Sequence, residues 1–115
     1  MLDLLGTFEA AELPNGDRVV AAHGPLDERV GGELRDVLLP LATGDGRLVL
    51  DLTDAHGLDA RALAIVACAA QMLTRDGGQF SLVTRSPLVR QLVADAGLGD
   101  LVALRPSLAE AIRAD

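Results

Sequence analysis

The groups in this chain with reactive potential are few and scattered. His23 and His56 stand among Asp27, Asp54 and Asp59, a set that invites a metal site or a hydrolase. The spacing supports neither, because there is no His-x-x-x-His pair, no cysteine cluster and no Gly-x-Ser-x-Gly turn. His56 falls in a polar loop and reads as solvated. The glycine turns "GDG" and "DGG" lack the Lys and Ser/Thr with which a phosphate loop holds a nucleotide. Cys68 is a lone cysteine, a redox handle in principle, although a free thiol usually packs as a small hydrophobe. Thr53, Ser81, Thr84 and Ser86 remain as hydroxyls that could accept a transferred group. Ser86 already has a capping role ahead of Pro87 and Ser81 lies within a strand, so Thr53 and Thr84, at strand ends, form the more accessible pair. No catalytic, cofactor-binding or metal-ligating residue is expected.

The composition narrows the partners. At 115 residues and 50% hydrophobic content, the chain can bury one core, and a single domain over 1–115 is expected. That core must be aliphatic, since Phe8 and Phe80 are the only aromatic residues. Their scarcity disfavours base stacking, which relies on aromatic platforms. A formal net charge of −7 repels phosphate backbones and anionic lipid, so neither nucleic acid nor membrane is expected as a direct partner. One cysteine permits no internal disulfide and suits a reducing interior. The opening "MLDLLGTFEAAEL" has no basic leader, and no apolar run approaches the roughly 20 residues a bilayer requires. A cytoplasmic location is expected.

The elements that would position these groups follow from hydrophobic spacing and punctuation. "LLGTFEAAEL" and "RVVAAHG" flank the turn signal "PNGD" and predict a β-hairpin. "ERVGGELRDVLLPLA" places Val30, Leu34, Val37, Leu38 and Leu41 on one helical face despite Gly31 and Gly32, with Asp27 as the N-cap. "LVLDL" is too short for a helix and too apolar for a surface strand, so it belongs in the middle of a sheet. "ARALAIVACAAQMLTRD" is a helix stopped by Gly77 and Gly78. "QFSLVT" is a second central strand, and "SPLVRQLVADAG" a helix opened by Ser-Pro and closed at Gly97, with Leu88, Leu92 and Val93 facing the core. A short "LVAL" strand and a final helix, with Ser107 and Glu110 at capping-box spacing, complete the chain. The order β β α β α β α (β) α predicts an α/β fold, a mixed sheet of four to five strands covered by about four helices on one or both faces.

That order, together with three local signatures, resembles the STAS domain, the family of bacterial anti-sigma factor antagonists and of the cytoplasmic tails of sulfate transporters. "HGPLD" at 23–27 resembles the family's Gly-x-Leu-Asp turn before the first helix. "LVLDLTDAHGLDARAL" at 48–63 resembles its signature stretch, a strand ending in Asp-Leu and then Asp followed by Ser-Ser-Gly or Ser-Thr-Gly at the helix mouth. "DGGQFSLVTRSPLVRQLVADAGL" at 76–98 is similar to the third piece. The resemblance implies that the first Ser after the signature Asp accepts phosphate from a partner kinase that doubles as an anti-sigma factor, and that the unphosphorylated domain binds this kinase and frees the sigma factor. With Asp59 at the signature Asp, Ala60 occupies the phosphoacceptor position, Arg61 the second hydroxyl and Ala62 the Gly.

Ala60 has no Oγ to offer a kinase. The switch in which about −1.5 to −2 units of charge appear at a partner surface therefore has no site at this position, and Thr53 and Thr84 are off-pattern alternatives. Asp59 serves equally well as an N-cap. Arg61 is unusual in a first helical turn, where the helix dipole disfavours cations, and suggests a contact with Asp59 or with an acidic partner. On the helix that follows, Leu63, Val66, Ala70 and Leu73 form the expected sheet-facing set, and Arg61, Ile65, Cys68, Met72 and Arg75 an apolar stripe with a cation at each end, expected to dock a partner. The expected partner surface thus comprises Asp27, the Asp59–Ala60–Arg61 opening, Ile65, Cys68, Met72 and Arg75. The expected function is a non-catalytic anti-sigma factor antagonist, binding an anti-sigma factor or kinase-like protein, with a homodimer left open. The alternative is a STAS subunit or scaffold of a larger assembly, stressosome-like or part of a lipid-transport ATPase complex.

Overall fold

The computed structural model describes residues 8–26 and 30–113, except for the side chain of Arg113. Asp27, as the first-helix cap and as a surface residue, falls outside the described residues. The hairpin forms as expected: β1 (Phe8–Glu12) pairs antiparallel with β2 (Arg18–Pro25). Its turn is closed by Leu13 N–H to Asp17 O at 2.7 Å and Gly16 N–H to Leu13 O at 2.9 Å. Gly16 adopts φ 93°, a conformation that costs glycine least.

The other elements are α1 (Gly31–Leu38), a 3₁₀ turn (Leu39–Leu41), β3 (Arg47–His56), α2 (Ala60–Arg75), β4 (Gln79–Val83), α3 (Pro87–Asp95), β5 (Val102–Arg105) and α4 (Leu108–Arg113). The strands lie in the sheet in chain order, β1-β2-β3-β4-β5, and all pairs after the first are parallel. Strand alternation sends Val20, Leu48, Leu50, Phe80, Leu82 and Val102 to one face, where Leu34 and Leu38 of α1, Val66, Ala70 and Leu73 of α2, and Val89 and Val93 of α3 bury them. Val19, Val49 and Val83 point to the other face and pack on Ala111 of α4, with Leu108 and Ile112 alongside. Arg47, at the start of β3, ties α4 down by donating to Ala111 O at 3.1 Å and Ile112 O at 3.0 Å, and lies 3.5 Å from Asp17. A guanidinium at those last carbonyls complements the negative end of the helix dipole.

Four expectations need correction. Helix α1 begins at Gly31 with Val30 in the N-cap position and no side-chain cap, three residues later than a cap at Asp27 requires. Strand β3 is longer than "LVLDL" and ends at His56, which pairs with Pro25 and so is not in a loop. On α3 the buried positions are Val89 and Val93, with Leu92 half-buried, while Leu88 is 66% exposed. On α2 the buried face is Ala62, Val66, Ala69, Ala70 and Leu73, with Leu63 only half-buried. Among the described residues no helix is long and apolar enough to cross a membrane.

Candidate protein-docking site

The mouth of α2 is built by strand β3 and the loop after it. Between Ala21 and His23 the ladder slips, β2 advancing from 21 to 23 while β3 advances from 51 to 54. This extra residue in β3 is a bulge, held by Asp51, whose Oδ1 accepts from Thr53 N–H at 2.9 Å and from Thr53 Oγ1 at 2.5 Å. Beyond the bulge both Leu52 and Ala55 face the core, and the strand reaches Gly57, whose φ of 89° turns the chain toward the helix. Leu58 is buried, anchoring the loop. Asp59 then caps α2 as the sequence predicts: its backbone is extended and its Oδ1 accepts from Ala62 N–H at 2.8 Å.

With Leu58 inward and Asp59 committed to the cap, Ala60 is presented to solvent at the first helical position. A hydroxyl there would be open to a kinase; the methyl group offers no nucleophile. Arg61 comes next and is also exposed, but its stem is not free in space. It lies over Gly31 of α1, close enough that a Cβ on Gly31 would stand 2.7 Å from Arg61 Cδ and 3.3 Å from Cγ. Among the described residues Arg61 has neither an ion pair nor a hydrogen-bond partner, so the expected contact with Asp59 is not made.

The docking stripe divides. Arg61, Ile65 and Cys68 join Ala64 on one wall of a groove of about 460 Å³, whose other wall is Gly31, Gly32, Arg35 and Leu39. Cys68 is exposed, and Ile65 is half-buried with its inner side on the core. Met72 and Arg75 lie farther along α2 and do not line the groove; Met72 is half-buried against the core and Arg75 is exposed. Sequence reasoning missed the α1 wall. Its signal was present in the spacing of Gly31, Arg35 and Leu39, one face of a helix, but it becomes meaningful only when α2 is known to lie opposite.

The off-pattern hydroxyls fare differently. Thr53 is exposed, although its Oγ1 donates to Asp51. Thr84 is only 4% exposed, because its N–H donates to Arg105 O at 3.0 Å and its Oγ1 accepts from Ser86 N–H at 3.1 Å, drawing it under the loop; the expectation that it is accessible is corrected. Ser86 caps α3 as predicted, accepting from Val89 N–H at 3.3 Å. At the carboxyl ends of β3 and β4 a crevice lined by Thr53, Gly57, Arg85 and Ser86 measures about 130 Å³, well below the roughly 300–1,000 Å³ of ordinary small-molecule sites. His23 lies 3.1 Å from Glu9 Oε1 and 3.6 Å from Asp54 Oδ2 across β1, β2 and β3, and no group of three or more metal-ligating side chains occurs among the described residues.

Comparison with known proteins matches this architecture to a family. The chain belongs to the STAS domain family, which it matches over residues 9–111. It is similar to the crystal structure of an anti-sigma factor antagonist from Mycobacterium paratuberculosis, with 25% identity and a TM-score of 0.81 over 99% of this chain and 97% of that one. A second similar structure, a putative anti-sigma factor antagonist from Thermotoga maritima, has 17% identity and a TM-score of 0.76 over 91% of each chain. A third, the Bacillus cell fate determinant SpoIIAA in its phosphorylated form, has 19% identity and a TM-score of 0.71 over 91% of this chain and 96% of that one. No curated protein sequence matches.

Proposed function

We propose that this protein is an anti-sigma factor antagonist: a non-catalytic module of the bacterial cytoplasm that captures an anti-sigma factor of the serine-kinase type and so regulates transcription. The observation that carries the reading is the exposed Ala60 at the first position of α2, directly behind the Asp59 cap, in a chain of the STAS family. In the mode the family resemblance implies, a phosphoacceptor serine occupies this place and phosphate there releases the partner. The helix mouth, with its unpaired N–H groups, suits phosphate, but Ala60 cannot carry one. The capture surface consists of the α2 opening, Asp59, Ala60 and Arg61, with Ile65 and Cys68 following on the same helix. Partner release by phosphorylation at this position is absent, so the antagonist stays competent whenever it is present.

Affinity capture from the source cell tests the reading. Recovery of a sigma-binding protein with a kinase fold supports it. Recovery of transport ATPase or scaffold components in its place refutes it.

A further inference from the structure

The groove between α1 and α2 is lined by small and aliphatic residues, with a cation on each wall. Gly31, Gly32 and Leu39 face Ala64, Ile65 and Cys68; the missing side chain of Gly31 makes room for the Arg61 stem, and that of Gly32 leaves open space. A Cβ at Gly32 would meet nothing within 4 Å, so the space beside it is vacant. The cations are Arg61 from α2 and Arg35 from α1, and among the described residues no carboxylate lines the groove. Arg35 has only its chain neighbour Asp36, at 3.5 Å and exposed, and Arg61 has no ion pair. In a chain of net charge −7, two guanidinium groups beside one apolar groove, one unpaired and the other with only an exposed neighbour, are a local reversal of sign. The Arg61 stem lies over Gly31, and the residue lines the groove.

We infer that this groove receives an amphipathic helix of the partner whose apolar residues recur at helical spacing and are bordered by Asp or Glu. The inference rests on the antagonist reading above and names the chemistry its partner presents. Apolar residues enter between the two helices, and the flanking carboxylates meet Arg35 and Arg61, where the guanidinium fork favours paired oxygens. Basic helices are repelled by the same two arginines, which makes the charge pattern a specificity device as well as an attraction.

The test uses the whole protein and a synthetic helical peptide with leucine at i, i+3, i+4 and i+7 bordered by glutamate, beside a twin bordered by lysine. The expected result is a set of amide shifts at Gly31, Gly32, Ala64 and Cys68 with the glutamate peptide, and affinity weaker by about tenfold or more for the lysine twin. Gly32→Leu, which fills the vacant space, and the pair Arg35→Glu with Arg61→Glu should each weaken the glutamate peptide by a similar factor, with the double charge reversal favouring the lysine twin. Equal binding of both peptides, shifts located elsewhere, or no binding overturns the groove. A captured anti-sigma factor whose affinity ignores Gly32→Leu ends the groove and leaves antagonism standing. A groove that takes the acidic peptide in a protein that captures no anti-sigma factor does the reverse.

Discussion

Arg61 of α2 lies across the bare Cα of Gly31 in α1, at a separation that leaves no room for a β-carbon. Both residues line the groove between the two helices. Gly31→Ala places a methyl group 2.7 Å from Arg61 Cδ. The clash is with the middle of a flexible side chain, so Arg61 swings away and the fold survives. We expect stability within about 0.5 kcal/mol of the parent by urea denaturation and a displaced Arg61, visible in its side-chain NMR signals. A loss several times larger would mean that Arg61 is locked more firmly than its exposure implies.

Gly78 presents the opposite case. A β-carbon there would stand 2.6 Å from Gly46 O and 2.7 Å from Gly44 O, both backbone atoms of the turn that feeds β3, with Leu73 behind at 3.0 Å. Backbone held by its own hydrogen bonds does not yield as a side-chain end does. Gly78→Ala should cost about 1–3 kcal/mol, the range for overpacking. Urea denaturation of this variant beside Gly32→Ala, which meets open space, checks the contrast.

Asp59 accepts from Ala62 N–H at 2.8 Å and supplies the cap for the helix that bears the proposed docking surface. Asp59→Ala should destabilise the protein by about 1 kcal/mol, and Asp59→Asn by much less, because asparagine caps nearly as well. If both variants cost the same, the carboxylate has another role.

The exposed Leu88 predicts a pair of substitutions with unlike effects. Leu88→Ser should change stability by no more than about 0.5 kcal/mol, whereas Val93→Ala, which opens a hole under α3, should cost about 1–3 kcal/mol. Denaturation midpoints of the two variants suffice to check the helix phase.

Leu88 also shows where reading from sequence reaches its limit. Chain punctuation was legible: the Asp59 and Ser86 caps, the hairpin turn and the Gly77 stop are local devices, and each stands where its residues placed it. The phase of α3 was not legible, since in a helix of nine residues a single position, about 100° of rotation, decides whether Leu88 or Val89 meets the sheet, and the sheet makes that choice. The length of β3 was hidden for a similar reason. Thr53, Asp54 and His56 carry no apolar signal and become strand only because β2 continues beside them past the bulge. The opening of α2 was readable as a candidate site because its residues are consecutive. The groove was not, because Gly31 and Gly32 read as weak points in a helix until Arg61 and Ile65 are seen across from them.

The central claim is that position 60 holds a partner and cannot be made to release it. The direct measurement is intact mass and complex size after the protein, its anti-sigma kinase and ATP are incubated together, with Ala60→Ser in parallel. The account predicts that the parent chain gains no phosphate and remains in the complex, while the serine variant gains one phosphate and dissociates. Phosphate on the parent chain, at Thr53 or elsewhere, together with loss of the complex on adding ATP, would contradict it.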